Sequence, residues 1–185
     1  FGKHLWVCPS GCAVDDPQAT VVTLDPGLAF GTGTHATTAL CLEWLDAISV
    51  ENRSVLDYGC GSGILAIAAL LRGATHATGL DIDPQALVAS RQNADVNGVA
   101  EKLTVLQDPA ELDGTYHVVL ANRLAGTLIA HAAQISGRNA RGGLVALSGI
   151  LEEQVDAVAD AYSQWIGFGP VATRDGWACL TGTRS

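Results

Sequence analysis

Along the chain, short apolar runs bounded by glycine, proline and aspartate alternate with longer segments of helical periodicity. Val21 to Leu24 reads as a short strand, broken by Asp25-Pro26-Gly27. A Gly/Thr-rich loop from Phe30 to His35 follows, then a helix over Thr37 to Ala47. From Ser54 the pattern becomes regular. Val55 to Tyr58 is a strand, Gly59 to Gly63 a turn, and Ile64 to Arg72 a continuous apolar helix stopped by Gly73. Ala77 to Ile82 is the next strand, and Asp83 caps a helix that opens on Pro84 and ends near Asn97-Gly98. Leu103 to Leu106 and His117 to Ala121 are strands, and Ala125 to Ser136 is a helix. Gly143 to Ser148 is a strand and Leu151 to about Trp165 a helix. Val171 to Arg174 and Ala178 to Thr181 form a closing hairpin around Asp175-Gly176.

Strands that alternate with helices predict an α/β fold: a mainly parallel sheet, covered on both faces, with an antiparallel hairpin at its end. Right-handed crossovers put every strand's carboxyl end on one edge, and ligands of such sheets bind there, where the strand order reverses. The informative loops are therefore 59–63, 81–84, 107–110 and 122–126.

The 185 residues fit one domain. A net charge of −9, with ten basic residues scattered along the chain, argues against direct nucleic-acid binding. The same acidity suits a basic partner, although acidic domains are commonly acidic for solubility alone. No apolar run is long enough to cross a membrane. The five cysteines form no Cys-x-x-Cys pair. His4, Cys8 and Cys12 are evenly spaced but lack a fourth ligand, so free thiols in a reducing cytoplasm are expected and no metal site is assigned. The chain opens on Phe1 and contains no methionine, so a fragment, or removal of a leading part, is expected.

Asp57-x-Gly59-x-Gly61-x-Gly63 lies between a strand and a helix, where glycines let the backbone approach a ligand closely. A tight strand-to-helix turn would also use glycines. The spacing departs from the dinucleotide fingerprint, which needs a glycine where Ile64 stands. Asp57 would repel a pyrophosphate and suits an ammonium or sulfonium. These two features disfavour a nicotinamide-dependent oxidoreductase on the same architecture. Asp81, at the end of the second strand of this regular region, is placed to accept hydrogen bonds from both hydroxyls of a ribose. Asp83 is read as a helix cap.

Gly31-Thr-Gly-Thr-His35 lacks the lysine and the spacing of a phosphate loop. It leads into a helix start where Thr37 and Thr38 would expose hydroxyls and N–H groups to a carboxylate. Phe30 packs either on the ligand or on the core, and His35 is a candidate base. Asn122 ends the strand over His117–Ala121 and is either a helix cap or an amide whose oxygen accepts from a substrate amine. Arg123 is unexpected beside an apolar pocket and is read as facing solvent. Asp108 either contacts an adenine or caps a turn.

Taken together, Leu24-Asp-Pro-Gly-Leu-Ala-Phe-Gly-Thr-Gly-Thr-His-Ala-Thr-Thr, Val55-Leu-Asp-Tyr-Gly-Cys-Gly-Ser-Gly-Ile-Leu-Ala-Ile-Ala-Ala, Gly79-Leu-Asp-Ile-Asp-Pro, Ala121-Asn and Leu147-Ser-Gly-Ile-Leu resemble the bacterial ribosomal protein L-eleven methyltransferase (PrmA) family. The second and third motifs are general to class I methyltransferases; the first and last are more specific. The resemblance implies a seven-stranded Rossmann-like domain that binds S-adenosylmethionine, leaving S-adenosylhomocysteine. It implies N-methylation of the α-amino group and lysine ε-amino groups of ribosomal protein L-eleven. Matched by position, cofactor contacts fall on Thr38, Gly59, Asp81 and Asn122. Phe30, Asp57, Gly61 and Asp108 complete the candidate cofactor set, and Asn122 is the candidate catalytic residue.

The family usually carries an apolar residue where Arg123 stands and a proline where Thr127 stands, departures on the substrate side of the pocket. It also carries a small N-terminal domain that grips the ribosomal protein, and this chain is expected to lack it. Residues 1–24 are then a lead-in to a cofactor-binding domain over 25–185. A cytoplasmic monomer is expected. The alternatives are a class I methyltransferase for a small-molecule or nucleic-acid acceptor, the oxidoreductase, and a non-enzymatic cofactor-binding remnant. Asn122-Arg-Leu-Ala does not match the Asn-Pro-Pro-Tyr usual in amide-nitrogen enzymes of the fold.

Overall fold

A computed structural model describes residues 1–24 and 35–185. In chain order the elements are β1 (Leu5–Cys8), β2 (Thr20–Thr23), α1 (Ala36–Ala47), β3 (Ser54–Tyr58), α2 (Ile64–Leu71), β4 (His76–Leu80) and α3 (Pro84–Val96). There follow β5 (Leu103–Leu106), β6 (Tyr116–Asn122), α4 (Ala125–Ala130), α5 (Ala132–Arg138), β7 (Asn139–Leu151), α6 (Val155–Tyr162), β8 (Ile166–Phe168), β9 (Ala172–Arg174) and β10 (Trp177–Arg184).

The main sheet runs β5-β4-β3-β6-β7-β10-β8, seven positions, and β9 joins the same edge of β10 as β8. The first five strands are parallel; β10 runs antiparallel to β7 and to both of its outer partners. The expected sheet is thus present, with its closing hairpin at Asp175-Gly176, where both residues have positive φ (52° and 78°). Such a pair forms the two-residue turn whose twist suits a hairpin.

Neighbouring residues of the central strands feed opposite cores. Val55, Val118, Leu120 and Ala146 pack with α1 and α2. Leu56, Val119, Ala121, Val145 and Leu147 pack with α4, α5 and α6. A strand buried on both faces has no polar side to alternate with, hence the continuous apolar runs. Two polar groups inside these cores are paired with backbone: the Tyr162 hydroxyl donates to the Leu128 carbonyl at 2.9 Å, and Ser148 Oγ to the Ala178 carbonyl at 2.9 Å.

Several elements differ from the sequence-based expectation. β1 pairs with β2 in a separate parallel two-stranded sheet, so the lead-in carries more structure than one strand. β7 is 13 residues long, starting four residues before the expected strand at Gly143: Asn139 pairs with Tyr116 of β6, and after an irregularity the pairing resumes at Leu144. Buried Asn139 secures that stretch by donating to the Leu144 carbonyl at 2.9 Å, and the Arg184 guanidinium donates to the Ser136 and Asn139 carbonyls. The single helix expected over 125–136 is broken at His131 into α4 and α5; at the break the His131 ring meets the Tyr58 hydroxyl and Gln134. Leu151 ends β7 rather than opening a helix, and α6 follows one 3-10 turn. β8 was not expected, since Ile166-Gly-Phe168 is short and interrupted by glycine. The loop assigned to Phe30–His35 falls outside the described residues up to Thr34, Phe30 included.

Tyr162→Phe removes the donor from the Leu128 carbonyl with little change in shape. A loss of about 1–2 kcal/mol, or about 3–6 °C in thermal midpoint, is expected from circular-dichroism melts.

Candidate cofactor and acceptor clefts

The chain leaves β3 for β4 and β5 on one side, then returns to place β6 on the other. A crevice opens where that reversal occurs. It forms a cleft of about 390 Å³ lined by Thr38, Asp57, Gly59, Gly61, Asp81 and Asn122, together with Cys60, Ile82 and Arg123. Six of the eight predicted cofactor residues therefore meet in one place. Of the others, Phe30 lies outside the described residues, and Asp108 does not line this cleft. Asp108 caps a short 3-10 turn instead, accepting from Ala110 N at 2.8 Å.

The glycine turn is held in a conformation that side chains resist: Gly59, Gly61 and Gly63 have φ of 89°, 53° and 79°. Gly61 N–H donates to Asp81 Oδ2 at 3.0 Å, and Asp83 N–H donates to Asp81 Oδ1 at 3.1 Å. Asp81 is thereby fixed at the end of β4 by both backbone segments that flank the cleft. Each carboxylate oxygen retains a further lone pair for a ligand hydroxyl. Asp83 caps α3 as expected, accepting from Gln85 N at 2.9 Å.

Asp57 is the most costly residue of the site. Its side chain is buried; Oδ2 accepts from Ala66 N at 3.3 Å, and Oδ1 has no partner among the described residues. Burial pushes its pKa up to about 7, with the Ala66 hydrogen bond and Arg123 opposing and Asp81 reinforcing the shift. An unpaired buried carboxylate oxygen lining a cleft is suited to a cationic ligand group. Cys60, in the same wall, has its thiol pushed up to about 12 by burial and does not supply a thiolate.

Asn122 does not cap α4, whose first residue is preceded by Leu124. Its Nδ2 donates to Thr38 Oγ1 at 3.3 Å, which leaves Oδ1 as an acceptor. Both threonines at the start of α1 are largely buried. Thr37 is occupied by His35, whose Nδ1 accepts from Thr37 N at 3.3 Å and contacts Oγ1 at 2.9 Å. Thr38 lines the cleft and keeps its hydroxyl proton to donate.

A second cleft of about 380 Å³ begins where the first ends. Asn122 and Arg123 line both, and the second is completed by His35, Thr37, Leu124, Thr127, Gly149 and Trp177. Sequence reasoning missed Trp177, which joins the site from β10 and meets the His35 ring edge-on, with centroids 5.0 Å apart. Nothing local to Trp177 signals this, because the contact depends on β10 being laid beside β7. Arg123 does not face solvent as expected: its Nη1 lies 3.7 Å from Asp81 Oδ2, and its side chain covers Gly59.

Residues 1–185 match the family model described as "Ribosomal protein L11 methyltransferase (PrmA)". The chain belongs to this family. Curated relatives of that same name include one from Sodalis glossinidius, 56% identical over 187 residues, and one from Pseudomonas fluorescens, 57% identical over 185. Each alignment covers 100% of this chain, which spans about 63% of the length of these relatives. The fold agrees with the crystal structure of a ribosomal protein L-eleven methylase from Lactobacillus delbrueckii subsp. bulgaricus. That pair has a TM-score of 0.91 at 30% identity, over 100% of this chain and 96% of the other. A magnesium protoporphyrin IX methyltransferase from Synechocystis, crystallised with bound S-adenosylmethionine, shares the fold alone. Its TM-score is 0.61 at 21% identity, over 80% of this chain and 77% of that one.

The raised Asp57 pKa makes stability depend on pH. Unfolded, the carboxyl titrates near 4, so between that pH and about 7 the folded state keeps a proton that the unfolded state has lost. Asp57 therefore disfavours folding increasingly as pH rises through this window. Asp57→Asn should gain thermal stability over the parent on going from pH 5 to pH 8, by at least about 3 °C in paired melts. An equal gap at both pH values would contradict the shift.

Proposed function

We propose that this chain is the S-adenosylmethionine-binding domain of a protein N-methyltransferase acting on α-amino and lysine ε-amino groups of ribosomal protein L-eleven. The observation that carries the reading is Asn122, at the junction of a cleft with acidic walls and a second cleft with an apolar, aromatic wall. Family membership supports the acceptor, and the reading takes the protein to be a cytoplasmic monomer.

The acidic cleft fits the cofactor chemically. Asp57 Oδ1 lacks a partner and suits the ammonium; Asp81 is placed for the ribose hydroxyls; the Thr38 hydroxyl can donate to the carboxylate. Bound there, S-adenosylmethionine supplies a methyl group on a sulfonium, which an amine takes by in-line displacement. The chain's own work is alignment and exclusion of water.

Trp177 and Leu124 offer apolar surface to the aliphatic stem of a lysine. Asn122 Oδ1 accepts one N–H of the neutral amine, turning the nitrogen lone pair toward the acidic cleft. Thr38 acts through Asn122: by taking the Nδ2 hydrogen, it fixes which end of the amide faces the acceptor. An ammonium has no lone pair, so the amine must shed a proton first. His35 borders the acceptor cleft, but its Nδ1 is engaged by Thr37, and solvent water is the simpler proton acceptor.

Asn122→Ala should lower methyl transfer by at least about 100-fold while changing cofactor affinity by less than about threefold. Radiolabelled transfer to purified ribosomal protein L-eleven reads the first, with a full-length relative run in parallel, and calorimetric titration the second. Equal losses in both would overturn the aiming role. Titration with NAD in place of S-adenosylmethionine tests the oxidoreductase alternative, and binding of NAD alone would reverse the assignment.

A further inference from the structure

Arg123 borders three depressions: the acidic cleft, the acceptor cleft, and a third of about 270 Å³ between Tyr58, Pro109 and His131. Among the described residues it is the one residue common to all three. Its backbone is held firmly. Arg123 N–H donates to the Ser148 carbonyl at 3.0 Å, and Gly149, at φ of 83°, lies so close that a Cβ there would sit 2.8 Å from Arg123 N. The side chain has no comparable restraint. It is about one-third exposed, and among the described residues its one ion pair is with Asp81 at 3.7 Å.

That side chain rests where a ligand has to go. A Cβ built on Gly59 would overlap Arg123 Cδ, so the stem covers the surface that the glycine leaves open for close approach. The guanidinium also competes for a limited set of acceptors. Asp81 offers about four lone-pair positions. Two are used by the N–H groups of Gly61 and Asp83. A ribose diol needs the remaining two, and Arg123 faces one of them.

We propose that Arg123 is an internal competitor for the cofactor: a latch that pairs with Asp81 over Gly59 and must swing away before a ribose can seat. This rests on the cofactor assignment above. The exchange needs only side-chain rotation, because the backbone is clamped by Ser148 and Gly149. Arg123 therefore sets cofactor affinity without belonging to the reaction itself.

The test is calorimetric titration of S-adenosylmethionine and S-adenosylhomocysteine into the parent and Arg123→Leu, at low and high salt. The first ligand carries net positive charge and the second none, which separates steric competition from simple repulsion. A latch predicts that Arg123→Leu tightens both ligands by a similar factor, about three- to tenfold for an ion pair of this exposure. It also predicts that added salt favours binding to the parent more than to the variant. Tightening of the cationic ligand alone, or no gain for either, would overturn the latch and leave the cofactor assignment standing. Folded protein of either kind that binds neither ligand would overturn the cofactor assignment and the latch with it. Arg123→Gln gives the same readings should the leucine variant fail to fold.

Discussion

The structure depends on β3 being hydrogen-bonded along both edges, to β4 on one side and β6 on the other. These partners are made far apart in the chain, so the loops beyond their carboxyl ends diverge and cannot close the space between them. Three adjacent strands then each deliver one polar residue to that opening. Asp57 comes from the end of β3, Asp81 follows β4, and Asn122 ends β6. The separation of these groups is set by strand spacing, not by loop conformation, which is why a rigid site follows from backbone pairing.

Such rigidity allows the site to hold an unfavourable group. Asp57 is buried with one oxygen unpaired among the described residues, the other accepting from Ala66 of α2. Packing on both faces of the sheet outweighs that local cost. The carboxylate is therefore held at the cleft wall by the fold, beside glycines whose left-handed backbone carries no side chain into the cleft. Asp81 shows the opposite solution: each of its oxygens accepts one backbone N–H, which holds it in place and leaves a lone pair on each.

Much of this was legible in the sequence, and the reasons are local. The parallel strands announce themselves as continuous apolar runs, and the glycine turn, Asp83 cap and Asp175-Gly176 hairpin each use residues with few alternative uses. Asp57, Asp81 and Asn122 were found because each stands at a strand end. What was missed depends on distant partners. The early start of β7 depends on Asn139, which Tyr116 pairs and Arg184 hydrogen-bonds. Trp177 reaches the site only because β10 lies beside β7. Arg123 seemed a surface residue because nothing nearby in sequence discloses a carboxylate 42 positions earlier waiting for it. The helix break at His131 likewise coincides with contacts to Tyr58 that periodicity does not report.

β10 occupies an inner position of the sheet although it is the last of the described strands. Its neighbours β7 and β8 both precede it, and the Ser148 hydroxyl in the core waits for the Ala178 carbonyl. The first cleft takes its whole lining from residues up to Arg123, whereas the second needs Trp177 from β10. On the ribosome, every residue that lines the first cleft is therefore synthesised before the residue that completes the second.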